Sequence, residues 1–90
     1  MNKQTIMDEV VRIMNEAGIS IDDNGMAEKN FIDNISSLTI ISLFIRIENT
    51  FKIALPDQFI KIDTLRNITT LSDLILTLKN DSEDYGKNDL

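Results

Sequence analysis

The sequence predicts a small all-α fold, a four-helix bundle of three main helices and one short helix, with a long loop after the first helix. Three segments repeat apolar residues at steps of three and four, which is the period of an α-helix. No segment shows a competing strand pattern. The 90 residues make one domain, near the lower size limit for a core that stands without disulfides or metal.

Residues 33–51 form the central element of this prediction. Apolar side chains cover most of the predicted helix. Its polar residues form one narrow stripe: Thr39, Ser42, Arg46 and Asn49. We therefore expect other elements to cover this helix on most sides. The run is too short to span a bilayer, so we expect a core helix.

The start of the central helix carries Asn34, Ser36 and Ser37, which are residue types that begin helices. No Glu or Gln follows three residues later, so there is no capping box. The two serines lie where the free N–H groups of the first turn point outward. That end of a helix carries partial positive charge and favours a phosphate.

Two elements precede the central helix. Residues 3–17 predict an amphipathic helix, with Gly18 at the position of a C-terminal cap. Residues 18–35 predict a long loop. Irregularly spaced apolar residues are expected to anchor this loop: Ile19, Ile21, Met26, Phe31 and Ile35.

A short piece of this loop partly matches a calcium-binding pattern. Asp22, Asn24 and Gly25 fit that pattern, but Ser20 and Phe31 stand where two of the acidic ligands belong. A turn with Gly25 at positive φ is therefore the favoured interpretation, and we predict no metal site.

The segment after the central helix contains Pro56, the single proline, which ends the helical region before it. Asp63 is predicted to cap a short helix over residues 64–67.

The last helix is predicted to be capped by Thr69 or Thr70 and to end near Lys79, whose charge suits the negative helix end. We expect residues 1–79 to form the helical domain and residues 80–90 to form a disordered acidic tail.

Composition excludes several functional classes. The chain has no cysteine and no histidine, which removes thiolate metal sites and the usual general base. The chain has nine Lys and Arg residues and fifteen Asp and Glu residues. The resulting net charge of −6 argues against binding to nucleic acid or to anionic membranes. The first residues lack a long apolar stretch, so we expect a cytoplasmic location without membrane insertion.

The central helix and the segment after it resemble the acyl or peptidyl carrier protein family. The resemblance is carried by Asn34-Ile35-Ser36-Ser37-Leu38, then Ile41, Leu43, Ile47, Glu48 and Phe51, then Leu55-Pro56-Asp57. In that family a Ser-Leu pair opens the second helix, a Glu and a Phe follow near its end, and an Ile/Leu-Pro-Asp loop comes next. The resemblance spans about residues 3–79.

This resemblance implies a function without catalysis. Ser37 would carry 4′-phosphopantetheine from coenzyme A as a phosphodiester, whose negative charge suits the helix N-terminus. The thiol of this arm would hold acyl or aminoacyl groups as thioesters. The protein would be a monomer and a carrier, with no catalytic residues of its own. Its partners would be a phosphopantetheinyl transferase and the enzymes that load and transfer the acyl group.

The same resemblance implies a docking surface on the second helix. Its residues are Leu38, Thr39, Ile41, Ser42, Ile45, Arg46 and Glu48. Thr39 and Ser42 stand where Asp and Glu are common in the family, and Arg46 offsets Glu48. We therefore expect contacts that are more apolar than acidic, and a specialised polyketide, nonribosomal-peptide or fatty-acyl pathway.

Two other functions compete with the carrier interpretation. Family members usually have Asp directly before the modified serine, and here that residue is Ser36. In the first competing interpretation, the chain is an unmodified, carrier-like helical bundle that acts as a protein-interaction module. An enzyme with Ser37 as nucleophile is the third class, but no base can be named for it.

Several singled-out residues also have a simple structural interpretation. Ser36 is expected to cap the helix, and Glu48 is expected to be a solvated helix charge. The simplest role of four apolar residues is in the core: Ile41, Phe44, Phe51 and Leu74.

Overall fold

The computed structural model describes residues 1–88, with side chains for residues 1–81. The five α-helices of this range are α1 Lys3–Glu16, α2 Lys29–Asp33, α3 Ser37–Phe51, α4 Ile62–Arg66 and α5 Ile68–Asn88. One turn of 3-10 helix lies at Asp57–Phe59. No strand occurs between residues 1 and 88, where two isolated backbone bridges join Ile21 to Ala27 and Met26 to Asn67. The predicted all-helical class is therefore confirmed.

The core is formed by one face each of α1, α3 and α5. α1 packs against both α5 and α3, and α4 packs against α2 and α5. The buried apolar side chains of the three long helices are Ile6, Val10, Ile13, Met14, Leu43, Phe44, Ile47, Phe51, Ile68, Leu71 and Ile75. The connecting segments and short helices add Ile19, Ile32, Leu55 and Leu65. The expected burial of Phe44 and Phe51 is confirmed, whereas Leu74 is half-buried at the edge of this core.

α3 is buried on one face only. Leu38 is 78% exposed, Ile41 48% and Ile45 51%, and these three side chains lie along one side of the helix. The expectation that other elements cover α3 on most sides is therefore wrong, and so is the core assignment of Ile41. A domain this small has too few elements to surround a helix.

The long segment between α1 and α3 is more ordered than a loop. Gly18 follows α1 with a φ of 87°, and Gly25 has the predicted positive φ, at 82°. Asp22 Oδ1 accepts hydrogen bonds from the N–H groups of Asn24 and Met26, both at 2.9 Å, so Asp22 organises a turn. The predicted turn with Gly25 at positive φ is confirmed.

The helix α2 in this segment is not predicted by the sequence pattern. α2 has five residues and buries only Ile32, so it has no apolar period to detect. Its N-terminus is capped by Glu28, whose carboxylate accepts hydrogen bonds from the N–H groups of Asn30 and Phe31. Of the predicted anchors, Ile19 is buried, but Met26 and Phe31 are each 40% exposed.

Backbone hydrogen bonds tie this segment to the start of α5. The Ala27 N–H donates to the Arg66 carbonyl at 2.8 Å, and the Ile68 N–H donates to the Gly25 carbonyl at 2.8 Å. A Cβ atom on Gly25 would lie 2.6 Å from Thr69 Oγ1, so the two segments approach closely because residue 25 is glycine.

The predicted caps of the last two helices are wrong. α4 begins at Ile62, and Asp63 lies inside it, where its carboxylate accepts a hydrogen bond from Arg66 at 3.1 Å. α5 begins at Ile68, and its capping side chain is that of Asn67, whose Oδ1 accepts from the N–H groups of Thr69 and Thr70. Asn, like Ser, Thr and Asp, accepts such bonds well, so composition alone leaves the choice among adjacent polar residues open.

α5 continues past Lys79 to Asn88, so the predicted end of the last helix is wrong. Lys79 does not lie at the end of its own helix. Its Nζ donates instead to the carbonyl of Phe51, at 3.2 Å, and so satisfies the end of α3. The rest of the predicted tail lies outside the described part of the chain. It consists of residues 89–90 and the side chains of residues 82–88. None of the helices within residues 1–88 is long and apolar enough to cross a membrane.

The C-terminal end of α3 is fixed by Glu48. Its Oε2 accepts a hydrogen bond from the Leu55 N–H at 2.7 Å, and Glu48 is half-buried. Between these residues the chain turns at Lys52, which has a left-handed conformation with a φ of 59°. The expectation that Glu48 is a solvated charge is therefore wrong, because its carboxylate holds the turn that leads to Pro56.

We predict that Phe51→Ala lowers the free energy of unfolding by about 3–5 kcal/mol, because Phe51 is 1% exposed in the core. Chemical denaturation followed by circular dichroism measures this change. Phe31→Ala is the control and should cost less than about 1 kcal/mol, since Phe31 is 40% exposed. A similar loss for the two variants would contradict the assignment of Phe51 to the core.

We predict that Glu48→Ala lowers the free energy of unfolding by about 1–2 kcal/mol, because it leaves the half-buried Leu55 N–H without its charged acceptor. Glu48→Gln keeps an acceptor oxygen at the same place and should lose less than Glu48→Ala. The same denaturation measurement checks both variants. Equal stability of Glu48→Ala and the natural protein would show that the turn does not depend on this hydrogen bond.

Candidate functional site

The candidate site lies at the start of α3, where Ser36 caps the helix. Ser36 has an extended backbone (φ −76°, ψ 155°), and its Oγ accepts a hydrogen bond from the Thr39 N–H at 3.1 Å. The same oxygen lies 2.9 Å from Thr39 Oγ1, so the two hydroxyls form a second hydrogen bond. The expected capping role of Ser36 is confirmed, and its hydroxyl is engaged in two hydrogen bonds with Thr39.

The hydroxyl of Ser37 differs from that of Ser36. Ser37 is the first residue of α3 and is exposed, and its Oγ makes no hydrogen bond to another described residue. In an α-helix the N–H groups of the first turn have no partner within the helix, and they give this end partial positive charge. Ser37 therefore places an available hydroxyl beside a region that stabilises an added negative charge.

Ser37 opens onto a groove of about 310 Å³ between α3 and the segment that begins α4. The other residues of this groove are Ile40, Ile41, Ile60, Lys61 and Ile62, and we call it the isoleucine groove. A second groove of about 490 Å³ lies beside Ser36 and Thr39, and Ala17 and Phe31 are among its other residues. The two adjacent serines therefore line different grooves.

An ion-pair cluster connects the segment before Ser36 to α4. Arg66 Nη1 lies 2.8 Å from Asp33 Oδ1, and Arg66 Nε lies 3.1 Å from Asp63 Oδ1. The hydrogen bond with Asp33, followed by that with Asp63, raises the pKa of the Arg66 guanidinium above its usual value. Arg66 also accepts a backbone hydrogen bond from Ala27, so one residue fixes both the end of α2 and the preceding loop.

The predicted docking residues do not all lie in the same environment. Leu38, Ile41, Ser42 and Ile45 are exposed side by side on α3. Thr39 is half-buried, and its hydroxyl is paired with the Ser36 cap. Glu48 lies farther along the helix and is engaged with the Leu55 N–H.

Arg46 is tied to α1 rather than to Glu48. Its guanidinium forms an ion pair with Glu16, and Glu16 also pairs with Arg12 at 3.0 Å. Arg12 in turn pairs with Glu9. The charge of Arg46 is therefore offset by Glu16 of α1, and not by Glu48 as expected from the sequence. The exposed face of α3 has an apolar centre formed by Leu38, Ile41 and Ile45.

Sequence reasoning missed Lys61 and Arg66, which lie beside the candidate site. Lys61 shares the isoleucine groove with Ser37, and Arg66 fixes the segment that leads to Ser36. Both residues are far from Ser37 along the chain, so the sequence gives no local signal for them. Lys61 comes beside Ser37 in the groove before α4, and the packing of α4 against α2 brings Arg66 to Asp33. Within the described range, no group of three or more acidic side chains could hold a metal ion.

The start of α3 thus combines an exposed hydroxyl, a positively polarised helix end and an apolar groove with a lysine in its wall. Each of these features comes from the geometry of this chain. Comparisons with models of protein families, with curated proteins and with solved structures found no match.

Proposed function

We propose that this protein is a carrier of acyl or aminoacyl groups, with 4′-phosphopantetheine attached to Ser37. The observation that carries the proposal is the contrast between the two serines at the start of α3. The Ser36 hydroxyl is used in the helix cap, whereas the Ser37 hydroxyl is exposed and makes no hydrogen bond among the described residues. This contrast supports Ser37 as the acceptor of a covalent group.

The residues present fit this group. In the attachment step Ser37 Oγ loses its proton and bonds to the phosphorus of coenzyme A that bears the pantetheine, and the nucleotide half leaves. The resulting phosphodiester keeps one negative charge, and the N-terminus of α3 stabilises a charge at that position. When bound, the arm supplies a thiol that holds acyl groups as thioesters. The chain has no cysteine, so it offers no competing thiol.

The helices support the carrier interpretation at the level of architecture. α1, α3 and α5 correspond to the three main helices of the proposed four-helix bundle, and α4 corresponds to the short one. α2 is then a short helix within the long first loop. In this proposal the protein is a cytoplasmic monomer that catalyses no reaction itself.

The exposed face of α3 supports a docking role beside Ser37. Leu38, Ile41 and Ile45 offer apolar contacts, and Ser42 adds an exposed hydroxyl. The proposed partners are a phosphopantetheinyl transferase and the enzymes that load and remove the acyl group. The low charge of this face favours partner enzymes from a specialised polyketide, nonribosomal-peptide or fatty-acyl pathway. It disfavours enzymes that bind an acidic helix.

A second candidate function is an unmodified helical module that binds a protein partner. Ser36, in place of the family's usual Asp, favours this alternative, as does the apolar exposed face of α3. The two functions differ in one measurable property, because only a carrier gains the mass of the arm from coenzyme A and a broad-specificity transferase.

We predict that Ser37→Ala abolishes this mass gain, because it removes the acceptor oxygen. Ser36→Ala should keep the gain and lose about 1 kcal/mol of stability, since it removes only the cap. Intact-mass spectrometry with peptide mapping checks both variants. Attachment at Ser36, or no attachment to the folded natural protein, would contradict the carrier proposal.

We predict that the affinity for the transferase changes by less than about threefold over a tenfold rise in ionic strength, because the contact is mainly apolar. Ile45→Ala should weaken binding by about fivefold to tenfold, while Thr50→Ala, at the far end of the same helix, should leave binding unchanged. Titration calorimetry at low and high salt measures these affinities. A steep salt dependence would place the contact on acidic residues outside this face.

A further inference from the structure

The isoleucine groove brings a positive charge to the same surface as Ser37. Ile40 and Ile41 of α3 form one wall, while Ile60, Lys61 and Ile62 form the other. The described side chains of this groove are therefore mainly apolar, with the ammonium group of Lys61 among them. Among residues 1–81, whose side chains the structure describes, no acidic side chain lines it.

Lys61 is available for an anionic ligand. It is exposed, and in the described part of the chain its ammonium group forms no ion pair with a carboxylate. The nearest acidic residue in the sequence, Asp63, is engaged by Arg66 at 3.1 Å. The charge of Lys61 is thus left for another partner at the groove.

The position of Ser37 fixes which groove a group on its oxygen would enter. Ser37 lines the isoleucine groove, whereas Ser36 lines the second groove with Ala17 and Phe31. A group attached to Ser37 therefore reaches α4 first, and a group attached to Ser36 would reach the segment after α1 first.

We propose that the isoleucine groove binds the proximal part of the arm on Ser37, with the Lys61 ammonium group paired to its phosphodiester. This inference rests on the proposed function. The two methyl groups next to the phosphate end of pantetheine pack against the isoleucine side chains, which removes apolar surface from water. The arm then has a docked state on its own protein in addition to an extended state that reaches a partner enzyme.

The charge pair contributes modestly, because Lys61 is exposed and water screens its charge. Loss of the charge should therefore shift the equilibrium between the docked and extended arm by about twofold to fivefold. The isoleucine contacts remain when the charge is removed, so the docked state becomes less populated without disappearing.

The test compares backbone amide chemical shifts of the ¹⁵N-labelled protein before and after the transferase attaches the arm. Ile60 and Ile62 are the informative residues, because they lie far from Ser37 in the sequence but share its groove. We expect both amides to shift on attachment. In Lys61→Met, which replaces the lysine by an uncharged side chain of similar length, these shifts should become smaller, in line with a roughly twofold to fivefold change in the ratio of docked to extended arm.

Two control variants separate a specific pair from a change of overall charge. Lys61→Arg keeps the positive charge and should keep the shifts. Lys29→Met removes one exposed lysine that lies outside the isoleucine groove, and it should leave the shifts of Ile60 and Ile62 unchanged. Mass spectrometry of each sample confirms that all variants carry the arm.

Different outcomes separate this inference from the function on which it rests. No mass gain in the natural protein overturns both. A mass gain with shifts confined to the neighbours of Ser37 in sequence overturns the groove inference alone. Shifts at Ala17 and Phe31 instead of Ile60 and Ile62 also overturn it, and they place the arm in the second groove. Shifts that Lys61→Met leaves intact overturn the role of Lys61.

Discussion

The burial of one face of α3 is the interaction on which the rest of the structure depends. Phe44, Ile47 and Phe51 lie in a common core with α1 and α5, and hydrophobic burial of this kind is the main force that opposes chain entropy. The domain is too small to enclose the opposite face. The same helix therefore has a buried side that stabilises the fold and an exposed side, with Leu38 and Ile45, that is free to contact another molecule.

Both ends of α3 are fixed by polar contacts, which is how the buried helix positions the candidate site. At the start, the Ser36 hydroxyl caps the helix, whereas the Ser37 hydroxyl makes no hydrogen bond to a described residue. At the end, Glu48 holds the Leu55 N–H, and Lys79 of α5 donates to the Phe51 carbonyl. The position of Ser37 is thus set by the rigid helix behind it and not by a flexible loop.

The sequence was sufficient to predict the elements that have a long apolar period. α1, α3 and α5 are found where periodicity placed them, as is the cap at Ser36, because local chemistry determines these features. α2 was missed because five residues with one buried side chain carry no period. The C-terminal extent of α5 was missed because the residues after Lys79 carry no apolar period.

The candidate site was predictable only in its local part. Ser37 follows from the residue pattern around it, but Lys61 and the Asp33–Arg66 pair depend on how α4 packs beside α3 and α2. The role of Glu48 was misjudged for a similar reason, since its partner Leu55 lies beyond a left-handed residue, Lys52, that sequence patterns do not reveal. Contacts between residues that are far apart in the sequence can be identified only in the folded structure.

The close approach of Gly25 to Thr69 has a consequence for how this sequence can vary. A Cβ atom at position 25 would lie 2.6 Å from Thr69 Oγ1, so Thr69 would have to change rotamer or shift to admit any side chain there. The positive φ of Gly25 adds a backbone cost to the same substitution. A smaller residue at position 69 would relieve the steric cost of a side chain at position 25 but would leave the backbone cost. The path of the long segment before Ser36 depends on that pair.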